Sequence, residues 1–394
     1  MTSDMPSLPT GAWELPEELS LLQETVARFM RAEVKPIEDR QPHDCYELPA
    51  EDLAVLQSKA KELGLWCLAS PQAYGGGGAG LLAQVIVAEE AAKCRMGAYV
   101  PACGAFGIDP PSVIWLGNAD QISRYGVAGI EKGKKCFVAI SEASGGADPA
   151  RSIRTRAQRI GDRYVINGTK MWITAAGKAD WGLVFARTGE ANDRGGISCF
   201  IVDRDTPGIS VREIPVIRSY APFEVHFEEV EVPAENRLGG EGEGFAVCQK
   251  WLVHARVPYA AGVIGVAQEA LRLAIDWVKQ RQVFKSTLSE KQAIQWMIAD
   301  SEMELRAARL LTYQAAWRAD LGHDIKLEAS IAKVTATETA GRVIDRCVQM
   351  FGALGVAKEL PIERWYRELR IKRIGEGPSE VQRMVVARHL LGSR

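Results

Sequence analysis

The sequence lacks any C-x-x-C pair or other short-spaced cysteine partner: Cys45, Cys67, Cys94, Cys103, Cys136, Cys199, Cys248 and Cys347 stand singly along 394 residues. That spacing excludes a local zinc knuckle and reads the thiols as buried and reduced. Histidine is scarce as well. His43, His226, His254, His323 and His389 are too scattered to assemble a ligand set from local spacing, so no metal is expected. No run of eighteen apolar residues occurs, which argues against a membrane-spanning helix. The first twenty residues, MTSDMPSLPTGAWELPEELS, have neither a basic n-region nor an apolar h-region, and a cytoplasmic location is expected. Charge of one sign is missing too. With 48 basic and 50 acidic residues the net charge is −2, so no field draws the chain onto nucleic acid or lipid, and a charged ligand must be held by local groups. What is present is 47% apolar and 25% charged residues, the composition of a well-cored globular protein with length for two or three domains.

Hydrophobic periodicity divides the chain in three. From Pro16 to about Lys132 apolar residues recur at three- and four-residue steps, as in Leu22, Val26, Phe29, Met30 and Val34, a helix expected to stop at Pro36. From about Cys136 to Pro233 the period is two, in short runs such as CFVAIS, YVIN, WGLVFAR, SCFIVD and FEVHFEEVEVP. Asn167-Gly168 between two such runs predicts a hairpin turn. After LGGEGEGF the helical period returns to the C-terminus in segments long enough for a bundle. Apolar residues run nearly all round the segment that starts at PYAAGVIG, which predicts packing against a second subunit. The expected fold class is α+β: an all-α domain over 1–133, a β-barrel-like domain over 134–240 and a four-helix bundle over 241–394.

Residues 75–80, GGGGAG, formally match the dinucleotide fingerprint G-x-G-x-x-G. The fingerprint needs a parallel strand after the helix, and more helix follows here, so a glycine loop joining two helices is the better reading.

Four segments carry chemistry. FVAISEASGGADP, residues 137–149, puts a hydroxyl and exposed amides at a strand end, either an ordinary Ser/Gly turn or donors for a flat, acceptor-rich ligand edge. TKMWIT, residues 169–174, places an indole and a hydroxyl two residues apart, where core packing is the alternative use of the tryptophan. KQRQVFKSTL, SEKQAI and CVQMFGALG bring Arg281, Phe284, Gln292, Gln349, Gly352 and Ala353 onto C-terminal helices, where an arginine fork suits a diphosphate or a solvated helix face. RIGEGPSEVQRMVVARHLL, residues 373–391, sets Glu376 between two glycines. The S-x-x-Q of Ser379 and Gln382 predicts a capping box that starts a helix just after this loop. A helix dipole there favours the carboxylate and lowers its pKa, whereas burial beside a neutral ligand raises it.

Together these segments resemble the acyl-CoA dehydrogenase family, in register from about Glu17 to Leu391. The resemblance implies FAD, held by Ile140, Ser141, Gly146, Ala147, Trp172, Ile173, Thr174, Pro378, Ser379 and Glu380, with Arg281, Phe284, Gln292, Gln349, Gly352 and Ala353 reaching a neighbouring subunit's cofactor. It makes Glu376 the base that removes the α-proton of an acyl-CoA, and Ala147, Arg256, Gly375 and Gly377 substrate contacts. The product is then a trans-2-enoyl-CoA, the electron acceptor electron-transfer flavoprotein, and the assembly a homotetramer, a dimer of dimers; neither nucleic acid nor membrane insertion is expected. Some relatives carry the base just before the arginine of the segment resembling WLVHARVPYA; Ala255 stands there and has no proton acceptor. Several positions depart from the family's habit. Ser141 stands for Thr, Lys285 and Ala353 each stand for Gly, and Ala147 for Ser, which removes one hydrogen bond of about 0.5–1.5 kcal/mol. Gly375 replaces an aromatic residue common in short- and medium-chain relatives; the space implies preference for a bulky, branched, cyclic or long acyl group over butyryl. The alternatives are an acyl-CoA oxidase that passes electrons to oxygen, and a non-catalytic FAD-holding subunit of a mixed assembly, a reading that retention of Glu376 opposes.

Overall fold

The computed structural model describes residues 15–189 and 195–392. Helix α1 (Glu17–Phe29) passes through a π-turn at Met30–Val34 into α2 (Lys35–Glu38), and α3 (Ala50–Glu62) and α4 (Leu81–Ala91) follow. Two short helices, α5 (Ala119–Gln121) and α6 (Ala128–Lys132), precede strand β1 (Cys136–Ala139). After α7 (Pro149–Ser152) come β2 (Arg156–Ile160), β3 (Arg163–Thr174), β4 (Trp181–Arg187), β5 (Ile197–Asp203), β6 (Ile209–Glu213), β7 (Pro222–Pro233) and β8 (Arg237–Leu238). The chain ends in α8 (Gly244–Gln280), a small hairpin of β9 (Gln282–Val283) and β10 (Ser286–Thr287), α9 (Gln292–Asp320), α10 (Lys326–Phe351), α11 (Ile362–Lys372) and α12 (Ser379–Leu390). The described residues are therefore helical at both ends of the chain with a mixed sheet between. No helix among them is long and apolar enough to cross a membrane. The N-terminal stretch behind the cytoplasmic expectation lies largely outside the described residues.

The chain forms two compact units. One gathers residues up to Ala60, Ala79–Ala105 and everything from Val253. Its core is built on small residues: Ala260, Ala261, Ala267, Ala270 and Ala274 of α8 and Ala329, Ala332, Ala336 and Ala340 of α10 are all buried, which lets helix axes approach closely. Leu81, Val85 and Ile86 of α4 join the same core. The backbone N–H groups of Leu81 and Leu82 at the start of α4 donate to the Asp320 carboxylate at 2.6 and 2.9 Å. The helix end that a dinucleotide fingerprint would offer to phosphate is thus taken by the chain's own acid, and helix follows the glycine loop as the sequence implied.

The other unit holds residues 61–78 and 106–252, with an eight-stranded sheet in the order β6-β7-β3-β2-β4-β5-β8 and β1 beside β4. β1 and β4 run parallel, while β3 and β7, twelve residues each, form the longest antiparallel pair. One face packs Tyr164, Ile166, Phe200, Val225 and Phe227; the other packs Trp181, Leu183, Phe185, Cys199 and Ile201. Every residue of β4 is buried, which explains why WGLVFAR reads as a continuous apolar run.

Two local expectations are corrected. Asn167-Gly168 is no hairpin turn: it lies inside β3, where Asn167 pairs with Arg156 and the register against β7 shifts between Ile166 and Gly168. Gly168 has φ +147°, and a Cβ there would lie 2.6 Å from Thr155 Oγ1, so the glycine serves a β-bulge and a close approach. The β2–β3 connection falls instead at Gly161-Asp162. Pro36 does not stop the first helix either. The widened π-turn at Met30–Val34 carries the chain into α2, where Pro36 sits in the first turn, the position in a helix that tolerates a missing N–H.

Candidate active site

The loop between α11 and α12 gives Glu376 its setting. Gly375 N–H donates to Ile371 O at 3.1 Å, and Ser379 N–H reaches back to Arg373 O at 3.1 Å, closing a tight turn over residues 373–379. Glu376 adopts φ +55°, a left-handed conformation that costs a non-glycine residue about 1–2 kcal/mol. Such strain persists only where the surroundings impose it. Arg256 of α8 donates from Nε to Glu376 O at 3.0 Å. Lys333 of α10, fully buried, donates to Arg373 O at 3.2 Å and Gly377 O at 3.0 Å, one carbonyl on each side of the glutamate. Gly377, at φ +90°, faces the Gln382 carboxamide so closely that a side chain would collide with it.

The expected capping box does not form. Pro378 takes the N-cap position and Ser379 is the first helical residue, so its hydroxyl points back to Arg373 O at 3.4 Å. The Gln382 side chain donates to Gly377 O at 3.4 Å. Both residues hold the Glu376 loop rather than the helix end.

One Glu376 carboxylate oxygen, Oε2, is buried and has no hydrogen-bond partner in the protein. Burial pushes the carboxyl above the ordinary glutamate range, while Lys372, Arg256 and Lys333 pull it back. Burial therefore outweighs the pull of the three cations. Among the described residues the Glu376 backbone N–H donates to no protein acceptor. Lys333 is pushed down to about 8 by burial in spite of Glu376 nearby.

The space expected beside Gly375 is occupied. A Cβ on Gly375 would lie 2.9 Å from the Tyr259 hydroxyl, which donates to Lys372 O at 3.2 Å. The aromatic group missing at 375 is supplied from α8. Lys372 itself is buried, its ammonium 4.0 Å from the Tyr99 ring centroid and 4.3 Å from that of Tyr259.

In the sheet unit, β3 holds the end of β1. Met171 N–H donates to Ser141 O at 2.9 Å, and the buried Lys170 donates to Ile140 O at 3.0 Å and to Glu142 Oε1 at 2.9 Å. Glu142 also accepts from Arg154 N–H, Thr155 N–H and the Thr155 hydroxyl; against burial, the Lys170 ammonium first and then these bonds hold its carboxyl below the ordinary range. This pair ties Ile140 and Glu142, on either side of Ser141, to β3. Trp172 is 53% exposed at φ +66°, within the second register shift of β3 against β7, while Ile173 beside it is buried. An exposed indole, the exposed Gly146-Ala147 backbone, the Ser141 hydroxyl and Thr174, whose Oγ1 accepts from Arg218 at 3.3 Å, are groups whose chemistry suits the face and edge of an isoalloxazine.

The third group lies on the C-terminal elements. Phe284, 96% exposed, and Lys285 form the β9–β10 turn with φ +48° and +65°, so the left-handed turn is kept although neither residue is glycine. The Arg281 guanidinium lies 5.7 Å from the Trp277 ring, which stacks at 5.7 Å on Phe351 next to exposed Gly352 and Ala353. Gln292 opens α9, and Gln349 is in the last turn of α10. Sixteen residues of α10 separate Gln349 from Lys333, roughly 24 Å at 1.5 Å per residue.

Sequence reasoning missed Lys333, Tyr259, Lys372, Glu142 and Lys170. A signal existed for Lys333, which lies in one helical stripe with Ala329, Ala332, Ala336 and Ala340, a buried face where a lysine needs a reason. The fold also brings together His43, Asp44 and Glu363, which are remote in sequence. Their carboxylates are engaged by Lys358 and Arg367. No disulfide joins any of the eight cysteines.

Comparison with known proteins identifies the type of enzyme. The N-terminal, middle and C-terminal domains described as acyl-CoA dehydrogenase match residues 16–129, 137–230 and 242–391. The short-chain specific acyl-CoA dehydrogenase of Mus musculus mitochondria is 34% identical over 389 residues, covering 96% of this chain and 92% of that protein. The butyryl-CoA dehydrogenase of Megasphaera elsdenii superimposes with a TM-score of 0.85 at 31% identity, covering 96% of this chain and 100% of the other. A chain in a structure concerning the electron transferring flavoprotein of Acidaminococcus fermentans gives 0.85 at 30% identity, covering 96% and 99%. With all three domains matched in order and a relative of this identity along nearly the whole length, the chain belongs to the acyl-CoA dehydrogenase family of FAD-binding oxidoreductases.

Proposed function

We propose that this enzyme converts an acyl-CoA thioester to the trans-2-enoyl-CoA with Glu376 as the base for the α-proton. The observation that carries the reading is the buried, unpartnered Oε2 on a strained loop: an acceptor held out of water with no competing donor. Arg256 and Lys333 hold the loop's carbonyls, so the carboxylate keeps its place while the proton transfers. The Glu376 N–H is available to donate to the thioester carbonyl, where negative charge develops as the α-proton leaves. FAD, when bound, would supply the acceptor for the β-hydrogen, which leaves as hydride. In this reading Trp172 covers one ring face and keeps water from it, with Ile140, Ser141, Gly146, Ala147, Ile173 and Thr174 lining the ring edge and Pro378, Ser379 and Glu380 completing the cofactor contacts. Ala147, Arg256, Gly375 and Gly377 contact the substrate. The three segments 1–133, 134–240 and 241–394 are its domains.

The assembly is a dimer of dimers, and Arg281, Phe284, Gln292, Gln349, Gly352 and Ala353 complete a neighbouring chain's cofactor site. Their exposure, and their distance along α10 from the groups that hold Glu376, support that role. Electron-transfer flavoprotein takes the electrons. The bulky-substrate expectation loses its premise, because Tyr259 fills the space beside Gly375.

In deuterium oxide the holoenzyme should wash deuterium into the α-position of a CoA thioester whose β-carbon cannot be oxidised, and Glu376→Gln should not. Exchange at the wild-type rate in that variant would assign the proton transfer to another group.

A further inference from the structure

Away from the Glu376 loop, a second buried carboxylate lies among thiols. Glu38, the last residue of α2, accepts from Arg95 N–H at 2.9 Å, Met96 N–H at 2.8 Å and the Cys103 thiol at 3.3 Å. Among the described residues no cation forms an ion pair with this carboxylate: the Arg95 guanidinium donates instead to the main-chain carbonyls of Glu38 and Gln41. A charge taken out of water is as a rule paired with an opposite charge or bound to a metal.

Cys94 follows α4, Cys103 lies in the short turn at Pro101–Gly104, and both are buried. Their Sγ atoms and a Glu38 carboxylate oxygen all lie within 4.8 Å of one another. Ala102 and Cys103 take φ +48° and +53° in succession, left-handed conformations that persist only where the surroundings impose them. The two backbone N–H groups fix the orientation of the carboxylate, as outer hydrogen bonds do for a metal ligand. All three residues belong to one compact unit but come from separate stretches of it, so spacing along the chain does not reveal them.

We propose that Cys94 Sγ, Cys103 Sγ and the Glu38 carboxylate form a buried structural site for a thiophilic divalent cation of the zinc type. Bonds of about 2.3 Å to sulfur and about 2.1 Å to oxygen set the ligand atoms of one such ion roughly 3.5–4 Å apart, so the cluster closes on a cation with small side-chain movements. Charge favours the exchange. With both thiols protonated the cluster carries the one negative charge of Glu38, and with a dication and two thiolates it carries one again. Cation uptake with loss of the thiol protons thus adds no charge to a buried place. The group of His43, Asp44 and Glu363 has no thiol, and Lys358 and Arg367 already hold its carboxylates. The segment between the two cysteines carries Tyr99, whose ring centroid lies 4.0 Å from the Lys372 ammonium at the end of α11. A cation bound here clips α2 to that segment.

The test uses FAD-loaded enzyme kept reduced, stripped with chelator and titrated with zinc chloride, with Cys94→Ala, Cys103→Ala and Glu38→Gln alongside. Wild type should keep about one cation per chain through gel filtration, release about two protons per cation, and melt at higher temperature when loaded. Each variant should bind more weakly by on the order of tenfold or more, while His43→Ala binds as wild type does. Should a variant fold poorly, wild type loaded with cobalt(II) gives the same answer, because thiolate ligation produces sulfur-to-cobalt charge-transfer absorption and a surface carboxylate or imidazole does not. Failure of the reduced wild type to retain a cation overturns the proposal. So does retention that survives both cysteine substitutions, or cobalt uptake without the charge-transfer band, since either places the ion elsewhere on the protein.

Discussion

At the scale of single residues, the site turns on which side chains approach the Glu376 loop from neighbouring helices. Tyr259 is the clearest case, because it takes the place that Gly375 leaves open. Truncation at Tyr259 should therefore enlarge the pocket as Gly375 alone does not. Each acyl methylene buried in the new space is worth about 0.8 kcal/mol. Tyr259→Ala should raise kcat/KM for octanoyl-CoA relative to butyryl-CoA by roughly tenfold or more, measured in parallel assays on wild type and variant. A ratio that does not move would place Tyr259 away from the acyl chain. The same residue shows where reading from sequence stops. Gly375 and Glu376 are adjacent in the chain and were legible as a pair, whereas the tyrosine that completes their surroundings is more than a hundred residues away in α8, and only the fold brings it there.

At the scale of elements, α10 braces the Glu376 loop through Lys333. Its pKa is pushed down to about 8 from the ordinary lysine value of 10.5, so below about pH 8 the folded state bears the cost of a buried ammonium. Between about pH 8 and 10.5 the unfolded chain binds more protons than the folded one, and that cost is relieved as pH rises. Relative to Lys333→Met, wild type should thus gain stability across this window, seen as a growing gap in urea midpoints. The variant should also lose on the order of a hundredfold in flavin-reduction rate, since two carbonyls flanking Glu376 are released. A constant gap across the window, with an unchanged rate, would remove Lys333 from both roles. Element type was legible because the period changes from helical to alternating near Cys136 and back after Pro233, and the sheet occupies that interval. Boundaries were less so. Asn167-Gly168 carries a turn signature, yet Gly168 answers a tertiary need, the approach of Thr155, and Pro36 is absorbed by a π-turn that no local propensity announces. Ser379 and Gln382 have capping-box spacing, but Pro378 takes the cap and frees both side chains to hold Gly377 and Arg373.

At the scale of the whole molecule, the proposed shared cofactor sites need more than one chain. Exposed Gln349 is in the last turn of α10, which Arg281 approaches through Trp277 and Phe351, and Lys333, which holds the loop around Glu376, is on its N-terminal half. Dilution should therefore release FAD together with subunit dissociation, and Arg281→Ala should weaken cofactor retention without unfolding the protein. Sedimentation that shows a monomer still loaded with FAD would contradict shared sites. The family and its cofactor follow from the complete set of matched domains, but the role of the base rests on one side chain. The most direct measurement is anaerobic mixing of acyl-CoA with FAD-loaded Glu376→Gln, following the flavin absorbance. The amide cannot take the proton, so the variant should keep its yellow spectrum and lose nearly all bleaching. Bleaching at close to the wild-type rate would show that Glu376 is not the base.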